Sequence, residues 1–311
     1  MATLCIFNPN ANRGRLTGSA QTMQALAAAA PDTAWSVTTS PRHATSLAAQ
    51  AAAAGFDVIV AIGGDGTVHE TVNGLMSTPA ATRPTLGVVA FGSGNDFALN
   101  MGLPTEPVEA MKACLAAIAG GKKRAVDVAW VRDESGRREY WDNTLGIGFD
   151  AAVGLSTKRY SFTTGFPMYL LATIDTIARN FAPTAMQLDV DGNVRAERAL
   201  MLTLGNGPRE GGGFHTTPGS RIDDGRLEYC LARPMPRPRM LQILPDFQKG
   251  THGKHKVEVE LGSFTHLKVK WDRSLPIHTD GETFADFGSP IRSIEVGIEA
   301  GALQVVAAPK A

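Results

Sequence analysis

Over the first 125 or so residues, short apolar runs alternate with alanine-rich stretches, and this restricts the fold more than any other feature of the chain. TLCIF (3–7), AWSVT (34–38), FDVIVAI (56–62) and TLGVVAF (85–91) are short and rich in Val, Ile and Phe. Each is closed by Gly, Asn, Pro or Ser, which predicts strands. Residues 17–29, 43–54, 67–76 and 105–119 predict helices between them. Strands joined through helices run parallel, and the helices cover both faces of the sheet.

After Lys122-Lys123-Arg124 the pattern changes. AVDVAWV alternates, then a charged turn (RDESGRRE) leads into a second extended run, YWDNTLGIGF. MQLDV, the turn signal Asp191-Gly192 and VRAERALMLTLGN predict a hairpin, and HKVEVEL and THLKVKW alternate again. One helix, about 166–181, interrupts them. The expectation is an α/β domain with a parallel sheet over 1–125 and a β-sandwich domain over 126–299.

The strand ends of the first domain carry the chemistry. In GGDGTVHE (63–70), Gly63, Gly64 and Gly66 follow a strand directly and let the backbone approach a ligand. Thr67 to Glu70 matches a T-x-x-E capping box at a helix start, where N–H groups attract anions. FGSGNDFA (91–98) repeats the design with Gly92, Ser93, Gly94, Asn95 and Asp96. Asn8, a basic loop with Arg13 and Arg15, and Thr38 close the other two strands, so four polar strand ends converge where open α/β sheets bind ligands. A tight turn without a ligand explains one such loop; two together favour a nucleotide. Neither loop is GxxxxGK[ST], and Asp65 would repel a pyrophosphate unless a divalent cation such as Mg²⁺ lay between them. That combination points to phosphoryl transfer.

Two later acidic stretches have both a plain and a functional reading. HTDGETF (278–284) is a surface turn, or it supplies Asp280 or Glu282 as the carboxylate that takes a proton from an attacking hydroxyl. SRIDDGRLEY (220–229) is an ordinary Asp-Gly turn, or Asp224 and neighbouring carbonyls hold a structural Mg²⁺.

NPNANRG, TTSPRHATSLA, GFDVIVAIGGDGTVHETVNGL, LGVVAFGSGNDFALNMGLP, NTLGIGFDAAV, GNGPREGGGF, PGSRIDDGRLEY and HTDGETF together resemble the diacylglycerol kinase catalytic-domain family, which includes YegS-type, sphingosine and ceramide kinases. GGDGT alone is shared with NAD kinases and phosphofructokinases; GSGNDFA and the late DGE select the lipid kinases. The resemblance implies that ATP binds the first domain, with Asn8, Thr38, Gly63 to Thr67, Glu70 and Gly92 to Asp96 around its phosphates and Asp65 near the catalytic magnesium. It implies an acid pair, Asp280 and Glu282, at the catalytic centre between the domains, and a C-terminal segment (about 300–311) that returns to the first domain. Arg221, Asp224 and Arg226 match a structural metal site, the arginines through backbone carbonyls. Ser93 stands for the family's usual threonine and keeps the hydroxyl; His69 replaces a common asparagine, and a partly buried neutral histidine is expected there.

The implied activity is transfer of the γ-phosphate of ATP to the primary hydroxyl of a membrane lipid, diacylglycerol by default. Ceramide, a sphingoid base or phosphatidylglycerol remain open as acceptors, and an NAD kinase or a non-catalytic lipid-binding regulator are the lesser readings. Thirty Lys+Arg balance 30 Asp+Glu, which argues against nucleic acid as a partner. Cys5, Cys114 and Cys230 read as inert buried thiols. With no basic-then-apolar N-terminus and no run of about 18 apolar residues, the expectation is a cytoplasmic protein. Peripheral membrane contact is expected through the basic, amphipathic stretch 233–256, and a homodimer is open.

Overall fold

The predicted alternation becomes β1 (Thr3–Phe7), α1 (Thr17–Ala29), β2 (Thr33–Val37), α2 (His43–Ala53), β3 (Val58–Gly63), α3 (Asp65–Met76), β4 (Thr85–Ala90), α4 (Asp96–Asn100) and α5 (Pro107–Ala119) in the computed structural model. The four strands are parallel, in the order β2-β1-β3-β4. Because strand side chains alternate between faces, Cys5, Phe7, Val58, Val60 and Ile62 share one buried cluster with Met23 of α1 and Met111 and Cys114 of α5. Ile6, Ile59 and Ala61 take the other face, where α2 packs on β1 and α3 on β3. Helices α2 and α3 approach closely: a Cβ on Gly74 would lie 2.4 Å from the Thr45 carbonyl oxygen. The structure describes residues 1–14, 17–160, 162–163 and 165–307; Arg15 of the expected basic loop and residues 308–311 of the returning segment lie outside them.

β5 (Lys123–Asp133) leads from the first compact unit (Met1–Asp127 with Gly301–Ala311) into the second (Val128–Ala300). The second unit contains β6 (Arg138–Trp141), β7 (Thr144–Gly148), α6 (Phe149–Ser156), α7 (Phe166–Arg179), β8 (Thr184–Val190), β9 (Asn193–Ala199), β10 (Met201–Gly205) and β11 (Leu227–Ala232). After them come α8 (Arg237–Lys249), β12 (Val259–Phe264), β13 (His266–Trp271), β14 (Ile277–Thr279), β15 (Glu282–Ala285) and β16 (Ser293–Val306). One antiparallel sheet runs β12-β11-β10-β7-β14-β15. Opposite it, β9, β8, β13 and the first part of β16 pair antiparallel. Leu145, Ile147, Leu202 and Leu204 of the first sheet share a single core with Leu188, Leu267, Val269 and Val296 of the second, so this unit is a β-sandwich. β16 continues past Ala300 and pairs parallel with β4, Val305 opposite Leu86, so the C-terminal segment belongs to the first unit.

The capping box expected at Thr67 and Glu70 does not form. α3 begins at Asp65 after an extended Gly64, with no side-chain cap. The Glu70 carboxylate instead accepts the backbone N–H groups of Arg42 (2.8 Å) and Ala44 (3.1 Å). Those are the unpaired donors that open α2, so the acid caps its neighbour's helix rather than its own. YWDNTLGIGF, expected as one extended run, breaks between β6 and β7 and ends where Gly148 (φ 83°) turns the chain into α6.

All three thiols are buried, and burial pushes Cys5 and Cys114 up to about 12 and Cys230 well above its ordinary value. Only a thiolate attacks a disulfide reagent. Ellman's reagent should therefore leave the native protein unmodified at pH 8 and titrate all three thiols in guanidinium; prompt reaction of the native protein would contradict the packing.

Candidate functional site

In the first unit the two glycine turns touch backbone to backbone. A Cβ on Gly92 would lie 2.4 Å from the Gly64 Cα, and one on Gly64 would lie 3.0 Å from the Gly92 Cα. Gly63 is tight as well, since its Cβ would fall 2.2 Å from the Thr67 hydroxyl. The second turn is fixed by Asn95, whose amide oxygen accepts the Gly92 N–H (2.8 Å) and whose amide nitrogen donates to the Gly92 carbonyl (3.0 Å). Asn95 adopts a left-handed conformation (φ 55°) to open α4. Asn8 donates to the Thr67 hydroxyl at 3.0 Å, and the Thr38 N–H continues the β1–β2 pairing to the Phe7 carbonyl. The strand registers end together, Phe7 beside Val37 and Ile62, and Gly63 beside Ala90, so Asn8, Thr38 and both turns lie at one edge of the sheet. Ser93 is exposed at the tip of its turn and Gly66 is half-buried in the first turn of α3. Glu70 caps α2 and is engaged there, while His69 is buried with the Asn73 amide 3.4 Å from its Nε2.

The acids of the two turns face one spot. A Cβ on Gly94 would lie 2.8 Å from an Asp65 carboxylate oxygen and 3.5 Å from one of Asp96. The other Asp65 oxygen accepts the Phe97 N–H at 3.3 Å. Two carboxylates converging on a glycine suit a hard divalent cation, whose ligands are oxygens.

In the second unit, Asp280-Gly281 forms a two-residue hairpin turn between β14 and β15, with φ of 52° and 84°, the signature of a type I′ turn. The Asp280 carboxylate accepts three backbone N–H groups, from Asp142 (3.0 Å), Asn143 (2.9 Å) and Thr144 (3.0 Å). Glu282, at the first position of β15, is exposed. Of the acid pair, Asp280 thus holds the turn in place and Glu282 presents its carboxylate to solvent.

Beside this turn lies a cluster that the linear sequence does not announce. Asp150 in the first turn of α6, His278 on β14 and Glu210 in the loop after β10 bring their carboxylate and imidazole atoms within 4.8 Å of one another. His278 Nε2 lies 3.4 Å from Asp150 and 3.8 Å from Glu210. Thr203 donates to Asp150 at 2.6 Å, and the Gly281 N–H donates to His278 Nδ1 at 3.2 Å. Gly146 sits directly opposite His278 on β7, and a Cβ there would fall 2.2 Å from Asp150 and 2.4 Å from Nε2. Burial raises Glu210 to about 8, with the Asp150 carboxylate adding to it, so Glu210 keeps its proton at neutral pH. Burial works against a charged His278, but the Asp150 and Glu210 carboxylates outweigh it and lift the imidazole towards 8. In the neutral ring the Gly281 N–H at Nδ1 leaves the proton on Nε2. The adjacency of the histidine to the acidic turn in HTDGETF was the one available signal; nothing in the spacing of Glu210 betrays it.

Elsewhere, Asp224 accepts the Arg226 N–H (3.1 Å) in a local turn, and the Arg221 guanidinium pairs with Asp223 at 3.3 Å. Glu228, raised first by burial and then by the Asp224 carboxylate, brings a second acid to this turn. In the stretch 233–256, Arg239 pairs with Glu258, Lys254 with Asp246, and Arg237 donates to the Ile177 carbonyl. No helix among the described residues is long and apolar enough to cross a membrane.

Two glycine turns and two acids at the ends of parallel strands, in a chain that also carries an antiparallel sandwich, suit an enzyme of phosphoryl transfer. The chain belongs to the diacylglycerol kinase family of lipid kinases: residues 2–131 match the diacylglycerol kinase catalytic domain, and 143–307 match the YegS C-terminal NAD kinase beta sandwich-like domain. It is 35% identical over 246 residues to a "probable lipid kinase YegS-like" of Chromohalobacter salexigens, covering 76% of this chain and 73% of that protein. A diacylglycerol kinase of Mycobacterium tuberculosis is 29% identical over 266 residues (85% and 81% covered). The crystal structure of a diacylglycerol kinase from Bacillus anthracis superposes with a TM-score of 0.76 at 25% identity, covering 99% and 97% of the two chains. Kinase activity of this family implies ATP as the phosphoryl donor.

If the glycine turns hold phosphates, Gly92→Ala should weaken ATP binding at least about tenfold, or about 1.4 kcal/mol, while circular dichroism remains native. Unchanged affinity by calorimetry would contradict the close approach.

Proposed function

We propose that the chain is an ATP- and Mg²⁺-dependent lipid kinase whose acceptor is the primary hydroxyl of diacylglycerol. The observation that carries this reading is the contact of the Gly64 and Gly92 turns with Asp65 and Asp96 converging beside it. Backbone N–H groups and the N-terminus of α3 suit the phosphates of ATP, with Asn8, Thr38, Thr67 and Ser93 adding polar groups around them. Asp65 and Asp96 would hold magnesium, which when bound neutralises charge on the transferred phosphoryl group. Phosphoryl transfer otherwise needs little from the protein beyond positioning and one proton acceptor. Glu282 takes that role: the lipid hydroxyl attacks the γ-phosphorus, its proton passes to Glu282, and ADP leaves. Asp280 is the poorer candidate because its oxygens are committed to three N–H groups that hold the hairpin. Asp224, with the Arg221 and Arg226 carbonyls, is the proposed structural magnesium site, and the neighbouring Glu228 supports it. Diacylglycerol is preferred because several relatives carry that name.

Membrane contact is part of the proposal, but its expected location moves. Arg237 donates to the Ile177 carbonyl and Arg239 and Lys254 pair with acids at the surface, so part of the charge of 233–256 is already matched. α7 is better suited. Pro167, Leu171, Ile174 and Ala178 form its exposed stripe, with exposed Phe162 and Lys158 preceding it. Apolar side chains beside a cation suit an anionic bilayer.

An assay with radiolabelled ATP over vesicles containing diacylglycerol, ceramide, a sphingoid base or phosphatidylglycerol, and with soluble NAD, tests the acceptor. Diacylglycerol should be phosphorylated fastest; efficient NAD phosphorylation would overturn the lipid reading. Glu282→Gln should reduce kcat about a hundredfold or more with ATP affinity retained, and wild-type turnover in that variant would remove Glu282 from the mechanism. Leu171→Glu with Ile174→Glu should abolish co-sedimentation with anionic vesicles, whereas Arg237, Arg239, Lys254 and Lys256→Gln should leave it largely intact.

A further inference from the structure

Among the described residues, Asp150, Glu210 and His278 are the set of acid and histidine side chains close enough to share an ion, and the proposed phosphoryl transfer does not use them. A metal site is the first explanation to consider, since a carboxylate–carboxylate–imidazole set is a common donor group. The histidine argues against it. A metal-bound imidazole donates its second ring N–H outward to an acceptor. Here the second nitrogen, Nδ1, receives a hydrogen bond from the Gly281 N–H, so in the neutral ring the proton sits on Nε2. Nε2 therefore points an N–H, not a lone pair, towards Asp150 and Glu210. A ligand-binding pocket fits no better, because both Glu210 oxygens are inaccessible and make no hydrogen bond; the Thr144 and Thr216 hydroxyls near them miss hydrogen-bond geometry.

What the geometry does support is a proton held in a fixed place. Asp150 is locked by the Thr203 hydroxyl on β10, and Gly146 on β7 leaves the room in which Asp150 and the imidazole meet. Glu210 is tethered by paired backbone bonds to Phe214. The Asp150 carboxylate, the nearer of the two, demands a donor from Nε2, which makes Nδ1 an acceptor. The only backbone group it takes is the N–H of Gly281, the residue between Asp280 and Glu282. The turn is held further by the three N–H donors to the Asp280 carboxylate and by the Asp280 N–H, which donates to the Thr144 carbonyl at 2.8 Å.

We propose that His278 is a positioning residue for the kinase reaction: Asp150 and Glu210 fix its Nε2–H tautomer so that Nδ1 clamps the Gly281 N–H and holds Glu282 in register. The arrangement works as the buried carboxylate of a hydrolase triad does when it sets a histidine's tautomer, except that this histidine acts on a backbone turn and touches no substrate. The inference rests on Glu282 as the proton acceptor.

Two readouts test it, one of them independent of activity. Nitrogen-15 spectra of protein labelled at histidine, recorded well above pH 8 so that the ring is neutral, should report His278 with its proton on Nε2 in the wild type, and loss of that single tautomer in Asp150→Asn. In diacylglycerol vesicles, His278→Leu should lower kcat at least about tenfold with the KM for ATP within about twofold of wild type. His278→Asn, whose amide oxygen can accept the Gly281 N–H, should recover most of that loss. An Nδ1–H tautomer, a stoichiometric transition metal that survives dialysis and is lost in His278→Leu, or wild-type kcat in His278→Leu would each overturn the clamp. Equal impairment of the Asn and Leu variants would reduce the histidine to a packing role and overturn it too. If Glu282→Gln is impaired while His278→Leu is not, only the clamp fails; if Glu282→Gln is itself fully active, the assignment of the base fails first.

Discussion

The contact between Gly64 and Gly92 constrains the first unit more than any other. Two strand-to-helix turns can meet at the distance of bare backbone only if neither has a side chain, and each turn is then anchored separately. Gly63 accepts the Phe91 N–H at 2.7 Å, and Asn95 folds its amide back onto Gly92. The contact sets where the helices start, and so where Asp65 and Asp96 emerge. Like charges this close cost free energy unless a cation or donors intervene. Two acids at a glycine-lined corner at the carboxyl ends of parallel strands suit the proposed role of holding a divalent cation beside anionic oxygens.

The second unit uses a different device for a related purpose. Its hairpin turn is over-determined: type I′ backbone angles, three N–H groups on Asp280 and the His278 contact all act on two residues. A turn fixed this firmly is unusual for an exposed loop, and it fits a carboxylate that must be held in one position to accept a proton. The cost is a buried acid, Glu210, that must stay protonated.

Local patterns in the sequence revealed most of the fold and, among the candidate site residues, the two glycine turns. The strands at 3–7 and 85–90, the helices at 17–29 and 107–119 and the Asp191-Gly192 turn follow from period, composition and turn chemistry, all of which act within a few residues. Misreadings arose where a distant partner decided the outcome. Glu70 has the spacing of a capping box, yet α2 offers its unpaired N–H groups and takes the acid. The three N–H groups that Asp280 accepts come from residues some 140 positions earlier, and no local pattern announces them. Asp150, Glu210 and His278 are brought together only by the β10-β7-β14 register, and the clue that they meet is a glycine, Gly146, opposite the histidine.

The central claim is that Asp65 and Asp96 form a cation site serving the phosphates of ATP. Calorimetric titration of ATP with and without Mg²⁺ tests it most directly, in the wild type and in Asp65→Asn and Asp96→Asn. The account predicts that Mg²⁺ strengthens ATP binding to the wild type and that this enhancement disappears in both variants. Equal ATP affinity with and without Mg²⁺, or an undiminished enhancement in the variants, would contradict it.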